Sequence, residues 1–162
     1  MTEQLLHLSD HETVRIVRNT PDEIEVEGTW TSGGSPPPPH LHPAQDEEFE
    51  IRSGRLTAVV DGTKHELGPG DNLQIPRRTA HKMWNAGNET VTALWRTRPA
   101  GRTADWLTTI NRLTAGGTRK PPTPALAKAV TAHSDVFRLA VGPSRLRPLV
   151  NLGLRAVALA DR

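Results

Sequence analysis

Two histidines stand one residue apart in this chain, His40 and His42, directly behind the four prolines of residues 36–39. In an extended strand, side chains two positions apart point to the same face, so both imidazoles can reach one ion. The prolines hold the approach extended and lower the entropy cost of ordering it. The spacing therefore predicts a pair of metal ligands, with two unconnected surface histidines as the alternative.

A carboxylate follows the pair, and strand alternation indicates which one. Within residues 46–52, Phe49 and Ile51 are the apolar positions that should face a core, and Glu47 has their parity. Glu48 has the opposite parity. Glu47 is thus predicted to point inward.

A third imidazole comes from a distant segment, residues 70–85. Leu73 and Ile75 read as an inward-facing pair, and Pro76 ends their strand. His81 begins the next strand.

The elements that must position these residues are short strands. From residue 12 to residue 98, apolar and polar residues alternate with period two, and turn residues interrupt the pattern at short intervals. Asp61 and Gly62 separate two alternating stretches and tolerate the positive φ of a tight hairpin. Strands this short and this regularly spaced are typical of a β-sandwich or barrel.

After Pro99 the spacing of apolar residues changes to one that predicts a helix. Trp106, Ile110 and Leu113 share one helical face ahead of Gly116.

Two further helices are predicted in the tail. The first begins at Thr123, carries Val130 and Phe137 inward, and ends at Gly142. The second covers residues 149–160.

Charge divides the chain at about the place where the pattern changes. Residues 1–103 hold 15 acidic and 11 basic residues, a net −4, whereas residues 104–162 hold 3 and 9, a net +6. We therefore expect a β-barrel over residues 1–103 and a helical extension over residues 104–162, packed on its own barrel or on a partner subunit. The basic residues are dispersed, without stacking aromatics, which indicates a solvated helix face rather than a nucleic-acid surface.

Composition restricts the class of protein further. A chain of 162 residues suffices for one domain with a real core, and the absence of Cys excludes disulfides, thiolate ligands and a Cys nucleophile. The N-terminus lacks a signal-peptide pattern, and no stretch reaches the roughly 18 to 20 apolar residues of a membrane span. A cytoplasmic protein without a membrane partner is expected. No Ser-His-Asp nucleophile motif, phosphate-binding Gly loop or dinucleotide fingerprint is present.

Two segments together resemble the paired motifs of the cupin superfamily. The fixed positions of the first motif are occupied by Gly34, His40, His42, Glu47 and Gly54. Those of the second are occupied by Gly70, Pro76, His81 and Asn85, while Arg78 stands where Gly is expected. Nine of the ten fixed positions match in the right order, and the resemblance covers about residues 28–98.

The resemblance implies a mostly β fold, a jelly-roll double-sheet barrel holding one metal ion. Carried over position by position, the ligands are His40, His42, Glu47 and His81. Three imidazoles and one carboxylate suit a divalent transition ion such as Fe, Mn, Ni, Co, Cu or Zn, with about two coordination positions left open. The departure at Arg78 costs about 1 kcal/mol if the backbone keeps the positive φ of a glycine.

The function implied by this resemblance is an oxygenase of the quercetin-dioxygenase kind, acting on a small organic molecule. Glu47 would be both a ligand and the catalytic base. A second hypothesis uses the same ion for non-redox isomerisation, cyclisation or decarboxylation, and a third is a non-catalytic small-molecule binding module. The family habit also implies a homodimer.

Four other residues are candidates for the substrate pocket. Phe49, Met83 and Trp95 are predicted to line it, with ordinary barrel core as the alternative. Arg78 is predicted to bind an anionic group, with simple solvation as the alternative.

Overall fold

Two antiparallel β-sheets form the body of the chain in the computed structural model, which describes residues 5–117, 120, 123–142 and 147–160. The first sheet has six strands, in the spatial order β1 (Leu5–His7), β2 (Glu12–Asn19), β3 (Ile24–Trp30), β10 (Val91–Arg98), β5 (Asp46–Ser53) and β8 (Asn72–Ile75).

The second sheet has five strands. Their spatial order is β11 (Arg138–Leu139), β4 (His40–Leu41), β9 (His81–Trp84), β6 (Leu56–Val60) and β7 (Thr63–Leu67). This arrangement confirms the predicted mostly β, double-sheet jelly roll.

The main core lies between the two sheets, because alternate residues of each strand point inward. In β5, residues 47, 49 and 51 are buried while 46, 48 and 50 are partly exposed. Phe49 and Ile51 meet Ala58 and Met83 of the second sheet in one apolar cluster. Burial of alternate residues is the physical consequence of a pleated strand with one face on a core.

Glycine is required at the turn that follows β5. Gly54 has φ +71°, and a Cβ at this position would lie 2.5 Å from the carbonyl oxygen of Thr90. The last glycine of the first motif therefore allows β5 to pass close to the start of β10.

Three helices follow the barrel: α1 (Thr103–Leu113), α2 (Thr123–Ala132) and α3 (Arg147–Ala160). Leu107 of α1 is buried against Leu6 and Val14, in a second apolar cluster on the six-stranded sheet. None of the helices in the described ranges is long and apolar enough to cross a membrane.

The predicted length of the second helix is wrong. α2 ends at Ala132, and Phe137 lies in the connection to β11 rather than on a helical face. The backbone of β11 pairs with β4, and the Phe137 ring stacks on Trp106. These tertiary contacts override the helical pattern.

Candidate metal centre

Three imidazoles converge at one end of the barrel because two strands of the five-stranded sheet pair there. His40 on β4 lies opposite His81 on β9, with ring centroids 4.4 Å apart, and His42 follows one residue after β4. One nitrogen from each of the three rings lies within 4.8 Å of the other two. His42 and His81 are buried and His40 is partly buried, so the three side chains could hold a metal ion.

Glu47 reaches the same point from the opposite sheet. Its side chain is buried, and Oε2 lies 3.0 Å from His81 Nε2 and 3.2 Å from His42 Nε2. Glu48 instead turns toward solvent and accepts hydrogen bonds from Asn72 and Arg98. The structure thus brings the three predicted histidines into one cluster and places the Glu47 carboxylate beside two of them, His42 and His81.

The distances from Glu47 Oε2 to His81 Nε2 and His42 Nε2 fit a shared metal ion. Two ligand atoms that each lie about 2.1 Å from one ion, at right angles, are about 3.0 Å apart. Among the residues that the structure describes, the buried atoms His42 Nε2 and Glu47 Oε2 lie 3.2 Å apart, but neither has a partner in full hydrogen-bond geometry. A buried polar atom without a partner is costly, and a cation among these atoms would satisfy both.

The second nitrogen of each ring is held by a backbone carbonyl. His40 Nδ1 lies 3.4 Å from Pro38 O, and His81 Nδ1 lies 3.0 Å from Thr79 O. His42 Nδ1 lies 2.6 Å from Val136 O. Since a carbonyl only accepts, the neutral form of each ring keeps its proton on Nδ1 and leaves the Nε2 lone pair for an ion, as metal-binding histidines require.

The other oxygen of Glu47 is held by β10. Trp95 Nε1 donates to Oε1 at 2.9 Å, and Thr97 Oγ1 lies 3.5 Å from the same oxygen. Sequence reasoning missed this role of Trp95. Parity alone could not reveal it, because the contact depends on the register that places Trp95 opposite Phe49 and Thr97 opposite Glu47.

Burial and neighbouring charge shift the titration of this cluster. Burial alone would raise the pKa of Glu47, but the His42 and His81 side chains hold that pKa well below its usual range. Burial lowers the pKa of His40 well below its usual value, helped by the neighbouring His81 and His42. Burial also opposes the charged form of His42, yet the Glu47 carboxylate outweighs it and raises the pKa of His42. The carboxylate is therefore ionised and ready to bind a cation.

The residues predicted to line a pocket occupy different environments. Phe49 and Met83 are buried in the barrel core, and Trp95 is partly buried and stacks on Phe49 at 5.4 Å. Their role in substrate binding stays a prediction.

Arg78 is exposed, with its Nε 3.3 Å from Pro43 O and its backbone N–H donating to His42 O at 2.8 Å. Its φ is +67°, so the turn keeps the glycine conformation without the glycine. Anion binding by Arg78 also stays a prediction.

Asn85, the last position of the second motif, has a structural role away from the imidazoles. Its Nδ2 donates to Trp30 O at 3.0 Å and to Glu89 O at 2.6 Å, and its Oδ1 accepts from Gly87 N at 2.9 Å. These bonds close the turn between β9 and β10.

Comparison with known proteins finds one family model and several relatives that match segments of the barrel. Residues 26–96 match the family model described as Cupin domain. The chain is 44% identical over 54 residues to "Oxidoreductase iacF" of Pestalotiopsis fici, covering 33% of this chain and 26% of that protein. It is 31% identical over 71 residues to "Quercetin 2,3-dioxygenase" of Bacillus subtilis, covering 44% of this chain and 21% of that protein. The chain thus covers only about a quarter or a fifth of the length of these two relatives.

Solved structures show the same fold. KdgF from Halomonas sp. matches with a TM-score of 0.55 at 23% identity, over 59% of this chain and 86% of that one. An RmlC-like cupin from Shewanella frigidimarina matches with a TM-score of 0.56 at 14% identity, over 64% of this chain and 89% of that one. Residues 26–96 thus match the Cupin domain model, and the double-sheet barrel has the same fold as these solved cupin structures.

Proposed function

We propose that this chain is a metal-dependent cupin enzyme that oxidises a small organic molecule with O2. One divalent transition ion would be held by His40, His42, Glu47 and His81. The observation that carries the proposal is the cluster of three imidazoles whose ligand atoms lie within 4.8 Å of one another, with the buried Glu47 Oε2 beside two of them. Nitrogen and oxygen donors without thiolate suit Fe, Mn, Ni, Co, Cu or Zn.

The names of the relatives favour redox chemistry over the alternatives. Two of the similar curated proteins are named oxidoreductases, and a third is named a quercetin 2,3-dioxygenase. Each likeness is confined to a segment of 52 to 71 residues, so it supports the chemistry of the barrel and leaves the substrate open.

The residues of the chain have distinct parts in such a reaction. When bound, the ion would supply Lewis-acid or redox chemistry at the positions that four protein ligands leave open. Trp95 holds Oε1 of Glu47 and leaves Oε2 directed at the imidazoles. Glu47 is also the candidate proton acceptor for a substrate hydroxyl, although its lowered pKa makes it a weak base. Phe49 and Met83 belong to the apolar core between the two sheets.

The assembly and location of the chain are further parts of the proposal. Leu152 and Leu159 of α3 are 61% and 59% exposed, which supports a homodimer formed through this helix. A cytoplasmic location and a small-molecule ligand remain predictions.

Metal analysis followed by oxygen consumption tests the proposed activity. Purified protein is analysed for bound metal, stripped, reloaded with Fe(II), Mn(II), Ni(II) or Zn(II), and assayed in an oxygen electrode with quercetin as a first flavonol probe within a panel of small phenols. We expect oxygen uptake with a redox-active metal and its loss in His42→Ala.

The other hypotheses give different results in the same assay. Substrate turnover without oxygen, or with Zn(II), would indicate the non-redox isomerase, cyclase or decarboxylase. Ligand binding without turnover, unchanged in His42→Ala, would indicate a binding module. Protein that neither contains nor takes up any of these metals would refute the proposal.

A further inference from the structure

A segment of the C-terminal extension, residues 133–142, crosses the end of the barrel that carries the imidazoles. We refer to it as the cap segment. Within it, β11 runs antiparallel to β4, with Leu139 opposite His40 and Arg138 opposite Leu41. The next residue, Ala140, donates its backbone N–H to Pro39 O at 2.8 Å. The cap segment is thus hydrogen-bonded to the strand that carries the first candidate ligand.

The cap segment also supplies the carbonyl that orients His42. The carbonyls facing His40 and His81 are local, since each lies two residues away in sequence. The partner of His42 is Val136 O, 94 residues later, at 2.6 Å. Because His42 is only 7% exposed, little solvent can reach the ring to replace this partner.

The aromatic side chain of the cap segment covers the site. The Phe137 ring stacks on His40 with centroids 4.8 Å apart and planes at 21°, and it meets the edge of His42 at 6.3 Å. The same ring stacks on Trp106 of α1 at 4.3 Å. Phe137 therefore lies between a candidate ligand and the first helix of the extension.

An arginine at the junction of barrel and extension anchors the cap segment. Arg102 Nε donates to Asp135 Oδ2 at 2.9 Å, and its Nη2 donates to Ala132 O at 2.6 Å. A Cβ at Gly101 would lie 3.1 Å from Val136 Cγ1, so the backbone of the junction packs directly beneath the residue that orients His42.

From this geometry we propose that the cap segment is an intramolecular part of the metal centre. Val136 and Phe137 are positioning residues: the Val136 carbonyl fixes the tautomer and orientation of His42, and the Phe137 ring shields His40 from water. Metal affinity and the rate of metal release are then set partly by the extension, although the barrel holds every ligand. This inference rests on the metal centre of the proposed function.

Cobalt(II) binding to the full chain tests the inference without a substrate. The variants are Phe137→Ala, which removes the ring, Phe137→Leu, which keeps apolar cover, and Asp135→Asn, which weakens the exposed anchor. Lys64→Gln is the matched control, since it breaks an exposed ion pair with Glu66 on the β6–β7 hairpin. Affinity is measured by competition with a chelator, release by stopped flow, and ligand geometry by the visible absorption spectrum of Co(II).

We expect Phe137→Ala to weaken Co(II) binding by about 10- to 100-fold, speed release and change the spectrum, as loss of outer-shell support does in other sites. Phe137→Leu should restore part of the affinity. Asp135→Asn should weaken binding by about two- to fivefold, the modest effect expected of an exposed ion pair, and Lys64→Gln should leave binding unchanged.

The outcomes separate this inference from the proposed function. If the parent protein binds Co(II) and both Asp135→Asn and Phe137→Ala bind and release it as the parent does, the cap inference is wrong and the metal centre stands. If the parent itself does not bind Co(II), both fail. Asp135 is half exposed, so its variant keeps the test decisive even if Phe137→Ala does not fold.

Discussion

Replacing each of two adjacent glutamates with glutamine, in separate variants, tests the candidate metal centre. Glu47→Gln keeps the size of the side chain and an oxygen for the Trp95 N–H, but it removes the anionic oxygen that lies 3.0 Å from His81 Nε2. Glu48→Gln is the matched control, because Glu48 is one residue away and binds Asn72 and Arg98 on the outside of the sheet. Only the first variant should impair metal binding.

The expected effect can be worked out as a shift in thermal stability. A metal that binds only the folded chain, at 100 times its dissociation constant, adds about 2.7 kcal/mol to the free energy of unfolding. For a chain of this size, that raises the Tm by about 5 to 11 °C. If loss of the carboxylate weakens binding by about 100-fold, the same metal concentration adds only about 0.4 kcal/mol, or about 1 °C.

Differential scanning fluorimetry of stripped protein, with and without Mn(II) or Co(II), measures these shifts. The Tm of each metal-free variant is the baseline, so that a general loss of stability is not mistaken for weak binding. Equal metal-induced shifts in Glu47→Gln and Glu48→Gln would refute the assignment of Glu47 as a ligand.

Three further substitutions test other parts of the structure. Trp95→Phe keeps the stack on Phe49 but removes the N–H that holds Glu47. Chelator competition should therefore show a Co(II) affinity about 10-fold weaker, and an unchanged affinity would contradict the role of Trp95. Arg78→Gly removes the steric cost of a side chain at φ +67°, although the greater entropy of glycine in the unfolded chain offsets part of this gain. Urea denaturation should show up to about 1 kcal/mol of added stability. A loss of stability would argue against strain at this turn. Burial, only partly offset by the neighbouring Trp30 side chain, raises the pKa of Glu12 from 4.5 to about 7. The folded chain therefore binds this proton more tightly than the unfolded chain does. The resulting stabilisation is full below pH 4.5 and is lost as the pH rises through 7. Glu12→Gln should therefore flatten the dependence of stability on pH over this range. At pH 8 it should add less than about 3 kcal/mol to the free energy of unfolding, since the side chain is partly exposed. An unchanged slope of stability against pH in urea titrations would refute the pKa shift.

Local patterns were sufficient to identify the candidate ligands. Parity within one strand places Glu47 with Phe49 and Ile51, and the structure buries all three while Glu48 faces outward. This works because the two faces of a pleated strand alternate with every residue, whatever the rest of the fold does. His81 was identified differently, through the resemblance of residues 70–85 to the second cupin motif, which can be recognised because it lies within a single stretch of chain.

Longer patterns were less informative where tertiary contacts compete with local preference. The residues around Phe137 have a helical pattern, yet the chain leaves the helix at Ala132, because the β4 edge offers backbone partners to β11 and Trp106 offers a face for the ring. Sequence periodicity records which residues are apolar but not which surface they will meet.

The sequence by itself indicated a β-sandwich or barrel through its alternation, and its resemblance to the cupin motifs named four candidate ligands and the kind of ion that they would suit. Tertiary structure alone decided which groups support those side chains. Trp95 meets Glu47 only through the register of β5 and β10, and Val136 reaches His42 only because the extension returns across the barrel. Contacts between residues 48 and 94 positions apart depend on how whole elements pack, which no local pattern encodes.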